Sequence, residues 1–369
     1  MKILHIGQLI GGLDIYIRNS IAHTDETFEF VIAHGEGDQS KPVIKNRKTV
    51  KEYKISLYRE LNPFKDLKGL IQAIKIIRKE KPDLIHCHSA KGGVIGRFAG
   101  FFTGTPTLYT PHAFSFFSTQ SKLKKTIFTC LEKVAKLNSY LLACSESEQE
   151  IGIKQIGYKT DKALVWSNSV PQVVVSEEKN PELANENYIC YIGRPSYQKN
   201  SFFLIELIRK VHETNPELNF HLLGVGHYSP DLDEMKRMIE EYKLGDTIKL
   251  LPWLSHDDTM SYLKKSLFYL TVSRYEGLPL SVIEAMSLGK AVIASNVVGN
   301  KDCVTNNYNG YLLDLDIDLF SEKVIELATN ESLRKEFEGN SKKSFDKNFC
   351  ITNRIVELEK IYKAVYQKK

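Results

Sequence analysis

The sequence predicts an α/β protein made of two doubly wound domains facing a central cleft. Three observations predict it. Short, continuous apolar runs alternate with amphipathic stretches along most of the chain, and runs of that kind read as parallel strands buried on both faces. The alternation lapses once, at residues 168–187, and then restarts. A chain of 369 residues also exceeds what one hydrophobic core sustains.

In the first half the strands are "KILHIG", "FEFVIAH", "DLIHCHS", "TLYTPHA", "YLLACS" and "ALVWSNS". The segment "FKDLKGLIQAIKIIRKEKPD" has the pattern of a crossover helix. Its Leu67, Leu70, Ile71, Ile74 and Ile77 recur every three or four residues and are expected to pack on the sheet. A second amphipathic segment, "SKLKKTIFTCLEKVAKL", sets Leu123, Ile127, Leu131 and Val134 on one face, with five lysines against one glutamate. The expectation is a core-facing helix with a solvated lysine face. The alternative is a peripheral contact with anionic lipid through 121–137.

Pro, Asn, Glu and Ser dominate "NSVPQVVVSEEKNPELANEN", the expected connection between domains at 1–167 and 186–345. Strands then resume as "YICYIGR", "FHLLGVG", "IKLLPWL", "FYLTVSR", "KAVIASN" and "GYLLD", with helices such as "SFFLIELIRKVHETN" and "DLDEMKRMIEEYKL" between them. Residues 350–369 form a last amphipathic helix with Ile355, Leu358, Ile361 and Val365 on one face.

Composition narrows the function. At 42% hydrophobic and 26% charged the chain is an ordinary globular protein, and a net charge of +5 is too mild to argue for nucleic acid. The six cysteines lack any C-x-x-C pair, so neither a zinc site nor a disulfide framework is expected, and free thiols suit a reducing cytoplasm. The start lacks a signal-peptide pattern. Residues 98–121 are uncharged, but Gly104, Pro106 and Pro111 interrupt them, so no membrane span is expected.

The features that carry chemistry fall at strand ends. Gly7, Gly11 and Gly12 form a glycine-rich strand-to-helix turn that suits phosphate, without the G-x-G-x-x-G spacing of a dinucleotide site. "YIGRPSYQKN" places Arg194 and Lys199 on one loop, where cations can hold phosphate oxygens. Gly224 and Gly226 mark another strand end. His86 and His88 alternate on a strand without a further ligand at matching spacing, so no metal is expected. The triplets Asp231-Leu-Asp233 and Asp314-Leu-Asp316 read as structural. In "RYEGLPLSVIEAM", Glu276 is a turn carboxylate, and Ser281 with Glu284 has the spacing of a capping box. The helix start that follows Glu276 offers N–H groups to a diphosphate.

Taken in order, Gly11-Gly12, His112, "CSESE" at 144–148, Gly193-Arg194 with Lys199, Gly224-x-Gly226 and "EGLPLSVIEAMSLGKAVIAS" resemble family 4 of the retaining, nucleotide-sugar-dependent glycosyltransferases, which have the two-domain GT-B fold built of Rossmann-like domains. The resemblance implies an acceptor-binding first domain, a donor-binding second domain and a terminal helix that returns to the first. It implies Glu276 and His112 as the catalytic residues, Glu276 orienting the donor sugar and His112 facing it. Arg194 and Lys199 would neutralise the diphosphate, Glu284 would hold the ribose hydroxyls, and Gly12 with the backbone at Gly277, Leu278 and Leu280 would hold sugar and phosphate oxygens. No metal and no cofactor are implied. The expected donor is a UDP-sugar and the acceptor a glycan or polyprenyl-linked saccharide. Asp14 matches only loosely an acidic position of the family. A sugar-nucleotide epimerase of similar fold and a non-catalytic sugar-nucleotide-binding component are the alternatives.

Overall fold

The computed structural model describes residues 1–36, 38, 41–58, 62–176, 187–226 and 229–368. Residues 177–186 of the expected connection, and the histidine that ends "HLLGVGH", lie outside them. The chain divides into two compact units, Met1–Pro171 with Ile351–Lys369, and Gln172–Cys350.

In the first unit β1 (Lys2–Ile6), α1 (Gly12–His23) and β2 (Glu29–Gly35) are followed by a short hairpin, β3 (Ile44–Lys45) and β4 (Lys48–Thr49), and by β5 (Lys51–Ile55). Then come α2 (Pro63–Glu80), β6 (Leu84–His88), α3 (Ser89–Thr103), β7 (Thr107–Thr110), α4 (Lys122–Ala135), β8 (Tyr140–Ala143), α5 (Glu146–Ile151) and β9 (Ala163–Val165). The parallel sheet has the order β5-β2-β1-β6-β7-β8-β9. Both faces are covered, which is why its strands read as unbroken apolar runs. Leu4, Ile6, Ile85 and Cys87 pack in one core with residues of α2 and α3, whereas Ile3 and Leu84 pack in the other with α1 and the C-terminal helix, Ile351–Gln367.

One packing expectation holds in part and a second fails. On α2 Ile77 is buried and Leu70 and Ile74 pack against the core as expected, beside Ala73 and Ile76, while Leu67 and Ile71 point to solvent. Gly69 sets that orientation, because a Cβ there would stand 2.4 Å from the Ser56 carbonyl oxygen. On α4 the inner side is Glu132 and Ala135, and Leu123, Ile127, Leu131 and Val134 are all exposed. Arg97 of α3, itself buried, draws Glu132 inward.

The second unit runs β10 (Tyr188–Ile192), α6 (Ser201–Thr214), β11 (Asn219–Val225), α7 (Leu232–Glu241), β12 (Ile248–Pro252), α8 (His256–Lys265), β13 (Tyr269–Thr271), α9 (Leu280–Ser287), β14 (Val292–Ser295), α10 (Asn300–Cys303), β15 (Gly310–Leu313), α11 (Ile317–Thr329) and α12 (Glu331–Asn348). Its parallel sheet has the order β12-β11-β10-β13-β14-β15, so strand order reverses between β10 and β13. Loops leaving the carboxyl ends of strands beside such a reversal form a ligand site in doubly wound sheets. The two acidic triplets are structural: Asp231 precedes α7 and Asp233 lies in its first turn, while Asp316 caps α11 by accepting from Leu319 N–H at 2.9 Å.

Candidate functional site

In the second unit, the loops that follow β10 and β13 are tied to each other. Arg274 donates its backbone N–H to the Gln198 carbonyl and its Nη1 to that of Tyr197, both at 2.8 Å. Gln198 Nε2 donates to Glu276 Oε2 at 3.2 Å, and Lys199 Nζ donates to Glu276 Oε1 at 2.8 Å. Glu276 N–H is held by the Val298 carbonyl. Beneath this turn lies Gly299, at φ +85°; a Cβ there would stand 2.6 Å from the Gly277 carbonyl oxygen, so only glycine lets the strands' loops come so close. Arg194 and Lys199 lie on the same loop, with Lys199 and the Glu276 carboxylate both largely withdrawn from solvent.

Next along the chain, Leu278 is buried and Pro279 is the residue before α9. The expected capping box does not form. Proline, with its fixed φ, sits at the cap, and the helix begins at Leu280, so Ser281 falls in its first turn rather than at the cap. Ser281 Oγ instead accepts from Tyr269 OH at 2.9 Å. Glu284 Oε1 hydrogen-bonds His256 Nε2 at 2.8 Å. That contact and the carboxylate's charge raise the His256 pKa above its ordinary value. His256 was not singled out in the sequence; its one signal was a helix start beyond the end of β12, the same edge of the sheet.

Gly12 and His112 belong to the first unit, at the ends of β1 and β7. Gly11 has φ +60° and Gly12 is the first residue of α1. Asp14 pairs with Arg18 at 2.8 Å, one turn on. His112 and Ala113 both have left-handed backbone, at φ +52° and +79°, a costly conformation for two non-glycine residues. Glu148, fully buried, holds them. Its Oε1 accepts from Ala113 N–H and its Oε2 from Cys144 N–H, both at 2.8 Å, which gives "CSESE" a physical role. Both ring nitrogens of His112 are engaged within this unit, Nε2 with His88 Nδ1 at 3.2 Å and Nδ1 with Cys144 Sγ at 3.4 Å. Burial pushes His112 down to about 3, so the ring is neutral at ordinary pH.

The chain of rings continues inward. His88 Nε2 meets His5 Nδ1 at 2.8 Å, and His86 uses both nitrogens, on Tyr362 OH and Thr110 Oγ1. His5, His86 and His88 each place a ligand-capable nitrogen within 4.8 Å of the others, a grouping that sequence spacing missed because strand register, His5 beside His86, creates it. Their nitrogens are committed to hydrogen bonds, apart from His5 Nε2. The buried rings therefore form a neutral polar network, with His5 pushed down to about 3.

Residues 175–344 match a family model described as glycosyl transferases group 1, and residues 10–174 match one described as Glycosyltransferase Family 4. The chain is 30% identical over 321 residues to UDP-Gal:alpha-D-GlcNAc-diphosphoundecaprenol alpha-1,3-galactosyltransferase of Escherichia coli, which covers 83% of this chain and 82% of that one. It is 26% identical over 322 residues to the capsular polysaccharide biosynthesis glycosyltransferase CapM of Staphylococcus aureus, covering 84% and 83%. Sucrose-phosphate synthase from Thermosynechococcus elongatus superposes with a TM-score of 0.84 at 17% identity over 100% of both chains. Anabaena Alr3699/HepE in complex with UDP and glucose superposes with a TM-score of 0.80 at 17% identity, over 99% of this chain and 100% of that one. At these identities the structural likeness is one of fold, GT-B.

Proposed function

Because this chain belongs to family 4 of the glycosyltransferases, we propose that it moves a sugar from a UDP-sugar to a hydroxyl of a polyprenyl-linked saccharide in surface-polysaccharide assembly, with retention at the anomeric carbon and without a metal ion. The observation that carries the reading is the Lys199–Glu276 pair at the carboxyl ends of β10 and β13. It puts a cation for a leaving diphosphate beside a carboxylate for sugar hydroxyls.

Cleaving the bond between the anomeric carbon and the diphosphate oxygen leaves negative charge on the diphosphate and positive charge on the sugar. Lys199, Arg194 and the N–H groups that open α9 stabilise the first, fixed in place before the reaction begins. Glu276 accepts hydrogen bonds from the sugar, and Glu284 from the ribose once His256 yields. The acceptor oxygen bonds the anomeric carbon on the face the diphosphate leaves, and its proton passes to the departing phosphate oxygen. His112, neutral and held by Glu148, contributes position rather than a proton. The UDP-Gal donor and the GlcNAc-diphosphoundecaprenol acceptor of the Escherichia coli relative support the choice of substrates, and so do UDP and glucose in the HepE complex.

The test supplies a panel of UDP-sugars with and without a polyprenyl-diphosphate-linked N-acetylhexosamine. One donor is expected to release UDP only when acceptor is present, and the new glycosidic proton is expected to keep the donor's anomeric configuration by NMR. UDP release that ignores the acceptor, or an inverted product, contradicts the proposal.

A further inference from the structure

We propose that His88 is a positioning residue for His112: a directional chain of three rings, ended by His5 on one side and Cys144 on the other, fixes the proton of His112 on Nδ1 and its lone pair on Nε2. The proposal rests on the transferase reading for what His112 does in turnover; the tautomer stands apart from it.

The chain crosses four adjacent strands of the first sheet. His5 lies in β1, His88 ends β6, His112 stands just beyond β7, and Cys144 follows β8. Its contacts are His5 Nδ1 to His88 Nε2 at 2.8 Å, His88 Nδ1 to His112 Nε2 at 3.2 Å, and His112 Nδ1 to Cys144 Sγ at 3.4 Å. The ring planes of His5 and His88 differ by 9° and their centroids are 5.1 Å apart. With their nitrogens at 2.8 Å the two rings therefore meet edge to edge, as an in-plane hydrogen bond requires.

Proton counting gives the chain its direction. Burial keeps all three rings neutral, so each carries one N–H and one lone pair. A contact between two such rings takes one of each, so setting any ring sets the other two. Only two arrangements remain. In the first, every Nδ1 is protonated: His5 donates to His88, His88 to His112, and His112 to the Cys144 sulfur. In the second, every Nε2 is protonated, and the Cys144 S–H donates to His112 Nδ1.

Two observations select the first. His5 Nε2 is buried with no partner among the described residues, and a buried N–H without an acceptor is rarer in proteins than an unused acceptor. That nitrogen is therefore the bare end of the chain. At the other end, the Cys144 thiol is hydrogen-bonded to the Glu148 carboxylate, which takes the S–H and leaves a sulfur lone pair for His112. The second arrangement would forfeit that bond and bury an orphaned N–H as well.

The consequence falls on His112. Its left-handed backbone is held through Ala113 by Glu148, and its ring is held by His88 and Cys144. With its one N–H and its one lone pair both spent, the imidazole cannot turn without breaking two hydrogen bonds. In the transferase reading it thus meets the sugar as a surface fixed in advance, which is where positioning gains rate.

Imidazole nitrogen NMR of the isotope-labelled, ligand-free chain at neutral pH reads the tautomers directly, with His5→Gln, His88→Gln and His112→Gln assigning the signals. The spectra need neither donor nor acceptor, so they decide the tautomer even where the transferase assay fails. Expected is a protonated Nδ1 and a bare Nε2 on all three rings. Cys144→Ala removes the acceptor at one end and should move all three rings together toward the Nε2–H form, although only His112 among them bonds the sulfur. In kinetics, His88→Phe keeps a ring but removes the donor, and kcat should fall about tenfold, the loss of one hydrogen bond, with KM for the UDP-sugar unchanged. His88→Gln, whose amide both donates and accepts, should restore most of that rate. A protonated Nε2 on His112, a response to Cys144→Ala confined to His112, or an unaltered kcat in His88→Phe would each overturn the proposal.

Discussion

Lys199 Nζ stands 2.8 Å from Glu276 Oε1, with the two side chains 17% and 8% exposed. The groups assigned to the diphosphate and to the adjoining sugar of the donor are each other's partner. A withdrawn ion pair that loses one member leaves an uncompensated charge. Lys199→Met and Glu276→Gln should each lower stability by about 1–3 kcal/mol, and the double variant should recover much of that loss. Thermal melts in a double-mutant cycle measure it, and strictly additive losses would count against the pair.

Glu148 has a different footprint. Its two oxygens hold Ala113 and Cys144 around His112, so Glu148→Ala should release the left-handed turn, leave UDP affinity unchanged and lower kcat by about a hundredfold. Glu148→Gln, which keeps one acceptor oxygen, should fall between the two. Steady-state rates beside UDP titrations read this, and a matching loss of UDP affinity would place the role elsewhere.

The contact between His256 and Glu284 makes stability depend on pH. The carboxylate raises the folded-state pKa of His256 above the ordinary 6.5. The contact's contribution is therefore full below 6.5 and is lost as pH rises through the raised value. His256→Ala should lower the melting temperature more near pH 6 than near pH 9. The same deficit at both would show that His256 stays uncharged.

His5 works in the opposite direction. Burial holds it at about 3, against 6.5 for an exposed ring. Between those values the unfolded chain binds a proton that the folded chain refuses, so stability falls as pH falls below 6.5. From 6.5 to 4.5 that proton costs about 2–3 kcal/mol. Burial shifts His86 and His88 the same way. Urea unfolding across this range should show the loss, and His5→Gln should flatten the slope by about one proton. An unaltered slope would mean that His5 titrates normally.

The strands were legible because a sheet covered on both faces writes uniform apolar runs, and the loops were legible because glycine and paired cations sit where those runs end. What escaped depended on partners distant in sequence. A helical period shows that α4 has an apolar stripe but not which side meets the sheet; that was decided by Arg97, 35 residues away. The spacing of Ser281 and Glu284 suggested a cap, and Pro279 moved the helix start while His256 took the carboxylate. The histidine network rests on strand register, which pairs His5 with His86. Glu276 and Lys199 were each marked, yet their contact spans 77 residues and needed the fold.

The most direct measurement compares UDP with the UDP-sugar that the wild type consumes, by calorimetric titration of the wild type and Glu276→Ala. If Glu276 holds the sugar while Lys199 and Arg194 hold the diphosphate, the variant should bind UDP at least as tightly as the wild type, since Lys199 loses its competing carboxylate, and lose the extra affinity that the sugar confers, about tenfold for one charge-assisted hydrogen bond. An unchanged preference for the UDP-sugar, or an equal loss of affinity for both ligands, would contradict that assignment.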